Sequence, residues 1–375
     1  MSISGRQFEL VKSECHSGLT PYGAGMHYDP LISSRAKSLV SWGRDRVVLC
    51  LIIVHPFRAP TKVFALPVAF RLYKNRQGLT KGKETAKKGK KSQRKPPRPT
   101  PDPNHRTRPE LALELIRSVA GWSPEDELII TGDGAHGGKG LLSDPPPNVH
   151  LISHVHPKGA LHETAPPRKE KTRGPAREKG DRLPAMPHWA GDPNQPWAGL
   201  KFDRFGFHAT AKVKTIEALY YKAGRDRLLT IVLVRDLEGE RPDQMFYCTE
   251  RDWTARQILS AYACRRAIEC TFENSEQFLG LEGPANRLPK AVERTAPMAM
   301  IIYSLVVIWF HRSGHPSLRF PLRPWYPKRK EPSFADMLTT LRRVSYEEKD
   351  EKRLPKQSGL RTWVAQLTEL LSRAG

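Results

Sequence analysis

At 375 residues the chain can bury a full-sized core, either as one large domain with insertions or as two domains. Its 62 Lys and Arg against 39 Asp and Glu leave a net charge of +23, more than solubility requires, so the expected partner is a polyanion, above all nucleic acid. Five scattered cysteines with no C-x-x-C pair argue against a disulfide framework or a zinc site and fit a reducing cytosol, and the polar N-terminus lacks the apolar run of a secretory signal.

The segment up to about Ser41, rich in Gly and Ser, reads as loop with little regular structure. Two runs dense in β-branched and aromatic residues follow, Arg46 to Val54 and Val63 to Phe70, and suit an antiparallel pair, with Pro67 marking an edge or a bulge. Lys81 to Arg106 is a Lys, Arg and Pro run with almost nothing to bury, for which DNA backbone contact and plain linker are equal readings. A helix is expected over Pro109 to Trp122, where Leu111, Leu115, Ile116 and Val119 share one face. Strands are expected at Leu128 to Thr131, ending in Gly-Asp-Gly, and at Val149 to His154.

Residues 157–200 are again basic and Pro-rich, with Trp189 and Trp197 read as packing residues. Strands at Leu228 to Arg235 and Met245 to Thr249 lead to a helix that begins at Thr254. The most apolar stretch, Pro297 to Phe310, is 14 residues long, short of the ~20 that a membrane helix needs, and reads as a buried core helix. A last amphipathic helix is expected near Leu360 to Arg373.

Two features carry chemistry. In LIITGDGAHGG, residues 128–138, glycines flank Asp133 at a strand end, so backbone and ligand can approach its carboxylate; a turn or cap is the alternative for a lone Gly-Asp-Gly. Further on, Tyr262, Arg265, Arg266 and Glu269 sit at three- and four-residue steps on one helix face, either a carboxylate with cations beside it for phosphates or an ordinary Arg-Glu pair. His27, His136, His154 and His156 fit no zinc spacing and read as loop and strand-end histidines.

Together these residues resemble the Tyr-x2-Arg-x3-Glu-x6-Lys signature of DDE transposases of the insertion-sequence-four group, with Tyr262, Arg265 and Glu269 on its first three positions. FENSEQFLGLEGPANR at 272–287, PYGAGMHYDPLISSRAK at 21–37 and ITGDGAHGG are similar to stretches of the same group. The resemblance implies an α/β fold, a ribonuclease-H-like mixed sheet with an inserted β-rich segment before the Glu helix. It implies Asp133 and Glu269 as the second and third catalytic and metal-binding acids, two Mg²⁺ or Mn²⁺ ions in an active enzyme, and DNA contacts from Tyr262, Arg265 and Arg266. The implied partners are double-stranded DNA at the element's terminal repeats and target DNA, with self-association open and no membrane, in the nucleoid of a bacterial cytoplasm. The implied division is a shortened N-terminal segment at 1–41, a catalytic core at 42–310 with an insertion at about 155–250, and a basic C-terminal region at 311–375.

The chain departs from that pattern in two places. Family spacing puts the first catalytic Asp near Val11, yet no Asp precedes Asp29, the nearest acids Glu9 and Glu14 are offset, and the first strand looks missing or rewritten. Glu276 stands where the signature has Lys. The expected function is therefore a transposase that cuts and joins DNA by two-metal phosphoryl transfer, inactivated if the missing acid is not replaced; the alternative is a catalytically dead DNA-binding remnant. An RNA-associated structural protein is disfavoured, since no RNP-like sheet motif or KH-type loop occurs.

Overall fold

The structure, a computed structural model, describes residues 6–15, 24–28, 40–55, 59–74, 104–168, 175–204, 207–237, 241–281, 288–320, 330–353 and 360–373. Most of the basic run 81–106 and parts of 21–37 and 272–287 lie outside the described residues. In chain order the first elements are β1 (Arg6–Cys15), β2 (Ala24–Tyr28), β3 (Val40–His55), β4 (Ala59–Tyr73), α1 (Arg108–Trp122), β5 (Leu128–Gly132), α2 (Lys139–Leu142) and β6 (Val149–His154). An inserted segment follows with α3 (Met186–Gly191), β7 (Ala198–Arg204), β8 (Phe207–Leu219), α4 (Tyr221–Gly224), β9 (Leu228–Asp236) and β10 (Gln244–Cys248). The chain then turns helical in α5 (Ala255–Ala263), α6 (Ala267–Leu279), α7 (Pro289–Trp309), α8 (Phe334–Arg353) and α9 (Leu360–Arg373).

These strands form one ten-stranded mixed sheet. β1 lies inside it, antiparallel to β3 on one side and parallel to β5 on the other, and β5 continues parallel to β6. Such a sheet, antiparallel in its first hairpin and parallel beyond the first strand, with helices on its faces, is ribonuclease-H-like. β10, β9, β8 and β7 extend it antiparallel from β6, which is the expected β-rich insertion before the Glu helix.

Two layers of core hold the sheet. On one face α1 buries Leu111, Leu115, Ile116 and Val119 against Leu128, Ile130, Val149 and Leu151, each large side chain contributing roughly 1.5–3 kcal/mol. Thr107 and Glu110 close its N-terminus as a capping box, with the Thr107 N–H donating to Glu110 Oε2 at 2.7 Å. The opposite face is covered by α5 over Ile129, Ile152 and Phe246, and by α6 and α7 over Val48, Cys50 and Ala65.

Several expectations are corrected here. The opening segment is not structureless: β1 occupies the position from which the first strand looked missing, and β2 pairs with β3. The sequence of β1 alternates charged and apolar residues where a doubly flanked strand is expected to be apolar throughout, which disguises it. β7 and β8, hidden in a Lys-rich stretch, are strands with largely exposed alternate positions. The helix from Thr254 is interrupted by a 3-10 turn at Cys264–Arg266. α7 is longer than the apolar run and only half core: Val292, Ala296, Met300, Tyr303 and Val307 are buried, while Met298, Ile301 and Leu305 are exposed. The continuous helical segment Pro289–Ser317 is long and apolar enough to cross a membrane by length and composition, with 44% of its apolar window buried.

Pro67 sits where expected, at a register irregularity between the pairs Leu49 with Ala69 and Cys50 with Pro67. Trp189 is buried, and Trp197 packs against the core beneath Arg235, 4.3 Å from its ring centroid. A proline tolerated at that bulge is not tolerated between two ladders. Leu10→Pro would remove a backbone donor from the middle of the sheet, and we expect loss of cooperative thermal unfolding followed by circular dichroism. A variant that still melts cooperatively would show that β1 is dispensable.

Candidate metal and DNA site

Asp133 follows directly on β5, so its position is set by the strand and the tight turn after it. Its Oδ1 accepts the Ala135 N–H at 3.0 Å and the His136 N–H at 3.2 Å, and lies 2.8 Å from His136 Nδ1. The Ser153 hydroxyl on β6 donates to the Asp133 carbonyl oxygen at 2.8 Å, which ties the turn to the neighbouring strand. A Cβ on Gly137 would stand 2.6 Å from the His154 carbonyl oxygen, so only glycine lets the loop lie this close to β6.

Burial is the largest influence on the Asp133 carboxyl and opposes ionisation. It is outweighed by the hydrogen bonds and charge of His136 together with the charge of Arg265, which hold the carboxyl below its usual range. Asp133 is thus an ionised carboxylate with a partly exposed side chain.

Glu269 approaches from the helical side. Thr254 caps α5 by accepting the Gln257 N–H, and the chain passes through the 3-10 turn into α6, which ends at Gly280 with φ of +65°. α6 buries Ala267 and Ile268 against the sheet and leaves Glu269 more than half exposed. Arg265 donates to Glu269 Oε1 at 2.9 Å. The ion pair foreseen as the ordinary alternative therefore exists, but its guanidinium also acts on Asp133.

Tyr262 packs with its ring 4.7 Å from Phe246 and 5.0 Å from His154. Tyr262, Arg265, Arg266 and Glu269 share a cleft of about 490 Å³ with Phe202, Arg204, Arg241 and Phe246. Arg204 and Arg241 come from the insertion, and no spacing in the sequence connects them with a helix beginning some tens of residues later. His136 and His154, read from sequence as bland, both belong to the surroundings of Asp133; a histidine three residues after an Asp in a Gly-rich turn was the available signal for the first.

Among the described residues no group of three or more His, Cys, Asp or Glu side chains is placed to hold a metal ion. Glu269 is paired with Arg265 in the cleft, whereas Asp133 does not line the cleft and is touched there only by the charge of Arg265. Hard carboxylate oxygens such as those of Asp133 and Glu269 suit Mg²⁺ or Mn²⁺ in chemistry, and two carboxylates are too few for two tightly held ions. On β1 the registers are Glu9 with Thr131 and Leu10 with Gly132, so the next step along both strands sets Val11 level with Asp133. Glu9 is two residues short of that level, opposite Cys50, whose side chain packs with Ala267 and Ile268 of α6.

Burial, and then the charge of Arg265, push His154 down to about 4, while Asp133 pulls the other way. Between about pH 6.5 and 4 the unfolded chain binds a proton at this residue that the native chain refuses, so His154 makes stability fall as pH drops through that window. His154→Gln should flatten part of the decline in melting temperature from pH 7 to 4.5. Parallel curves for the variant and the parent would contradict the assignment.

No curated protein matches the chain. Residues 42–218 match the family model described as DDE superfamily endonuclease; the matched segment runs from β3 into β8 and contains Asp133, while Glu269 lies beyond it. Over that segment, less than half of the chain, the protein is similar to DDE superfamily endonucleases, and its ribonuclease-H-like sheet agrees with that similarity.

Proposed function

We propose that the chain is a transposase core of the insertion-sequence-four group that grips double-stranded DNA at the ends of its element, with Asp133 and Glu269 as metal-binding acids. The observation that supports this reading is the cleft in which Tyr262, Arg265, Arg266 and Glu269 meet Arg204 and Arg241. Asp133 and Glu269 would hold the divalent ion. When bound, that ion would polarise the scissile phosphate and help to generate the attacking hydroxyl. Arg204, Arg241 and Arg266 would bind backbone phosphates without reading sequence, and Tyr262 would line the cleft against the strand. The basic run 81–106 adds charge for the same purpose.

Cleavage by two ions requires a further acid level with Asp133, and Val11 holds that position. DNA binding without nicking is therefore the expected behaviour. A plasmid carrying the element's terminal repeats, incubated with Mg²⁺ or Mn²⁺, should remain supercoiled. Metal-dependent nicking that disappears in Glu269→Ala would establish an active enzyme, and the register of Glu9 beside Thr131 favours that acid as the replacement.

Binding itself should be electrostatic. Affinity for duplex DNA should drop at least tenfold between roughly 50 and 200 mM salt and vary little with sequence, as counterion release requires. Arg204→Ala and Arg241→Ala should each reduce the slope of log affinity against log salt by about one. A salt-independent affinity, measured by fluorescence anisotropy, would rule out phosphate contact as the basis of binding.

A further inference from the structure

Every described hydrogen bond to the Asp133 carboxylate ends on Oδ1: the N–H groups of Ala135 and His136 at 3.0 and 3.2 Å, and His136 Nδ1 at 2.8 Å. Because the carboxylate can only accept, Nδ1 carries the proton and donates. Oδ2 takes none of these bonds. His136 is 1% exposed, and its Nε2 is buried without a hydrogen-bond partner. A Cβ on Gly132 would come within 3.2 Å of His136 Cβ, so the ring is seated tightly against the end of β5.

Packing alone does not call for histidine here. Phenylalanine would fill a similar volume without burying an unpaired nitrogen, and native interiors rarely keep such a nitrogen unless it does something. What histidine adds is the Nδ1 bond. We propose that His136 is a positioning residue that fastens Oδ1 of Asp133 so that Oδ2 is held out for a divalent cation. The Ser153 bond to the Asp133 carbonyl oxygen restrains the same residue from the backbone side, so that rotation of the carboxylate is opposed from two directions. The proposal rests on Asp133 being a metal ligand, as argued above.

The test uses the full chain, Mn²⁺ alone as the probe, and two readouts: Mn²⁺ affinity by electron paramagnetic resonance, and melting temperature without metal. His136→Phe and His136→Leu should melt at or above the parent yet bind Mn²⁺ about 10–100-fold more weakly, the usual effect of losing a group that orients a ligand. His136→Asn, whose side-chain amide can place an N–H near the Nδ1 position, should recover to within about threefold of the parent. If Asp133→Asn weakens Mn²⁺ binding while both apolar variants bind like the parent, the positioning role is wrong and the metal reading stands. If Asp133→Asn changes nothing, or the parent binds no Mn²⁺, both are wrong. Variants that melt below the parent in step with lost binding would show a purely structural role and overturn the proposal.

Discussion

The parallel pairing of β1 with β5, set against the antiparallel pairing of β1 with β3, is the constraint on which the rest of the molecule depends. A strand held from both sides fixes the level at which β5 ends, and with it where Asp133 leaves the sheet. It also fixes which side chains of β3 face α6, since Val48 and Cys50 pack with Ala267 and Ile268 one turn from Glu269. The two acids belong to elements more than a hundred residues apart. Asp133 leaves the end of β5, and α6 carries Glu269 on the face where Ala267 and Ile268 dock.

Arg265 bonds to Glu269, and its charge adds to the His136 bonds that favour the ionised form of Asp133. The surroundings favour the charged form of Asp133 in spite of its burial, and His154, neutral at ordinary pH, adds no competing positive charge. Next to this pair the insertion contributes Arg204 and Arg241 to the cleft lined by Arg265, Arg266 and Glu269. Recognition of a phosphodiester backbone needs little more than cations at suitable spacing, whereas cutting it needs a complete set of acids.

How much of this was legible in the sequence follows from how each residue makes its contribution. β3, β5, β6, β9 and β10 announced themselves through Val, Ile and Leu runs, and α1 through Leu111, Leu115, Ile116 and Val119, because burial on a sheet demands apolar side chains at regular steps. Asp133 and Glu269 stood out in the sequence because one follows directly on such a strand and the other lies in a spaced motif. β1 was not, since Glu9, Lys12 and Glu14 interrupt its apolar pattern while its backbone still completes two ladders. β8 escaped for a related reason: Thr210, Lys212 and Thr215 are exposed and even Lys214 is a buried lysine, so the strand resembles a basic loop. The bond of His136 to Asp133 and the entry of Arg204 and Arg241 into the cleft depend on tertiary placement, which no local spacing encodes.

The central claim is that Asp133 and Glu269 present their oxygens to a shared point at one edge of the sheet. Anomalous diffraction from crystals of the full chain soaked in Mn²⁺ addresses it directly. The account predicts one strong Mn²⁺ peak bound by Asp133 Oδ2 and a Glu269 carboxylate oxygen, with the Arg265 guanidinium displaced from between them. Carboxylates pointing to different faces, or a metal peak elsewhere with Arg265 undisturbed, would contradict it.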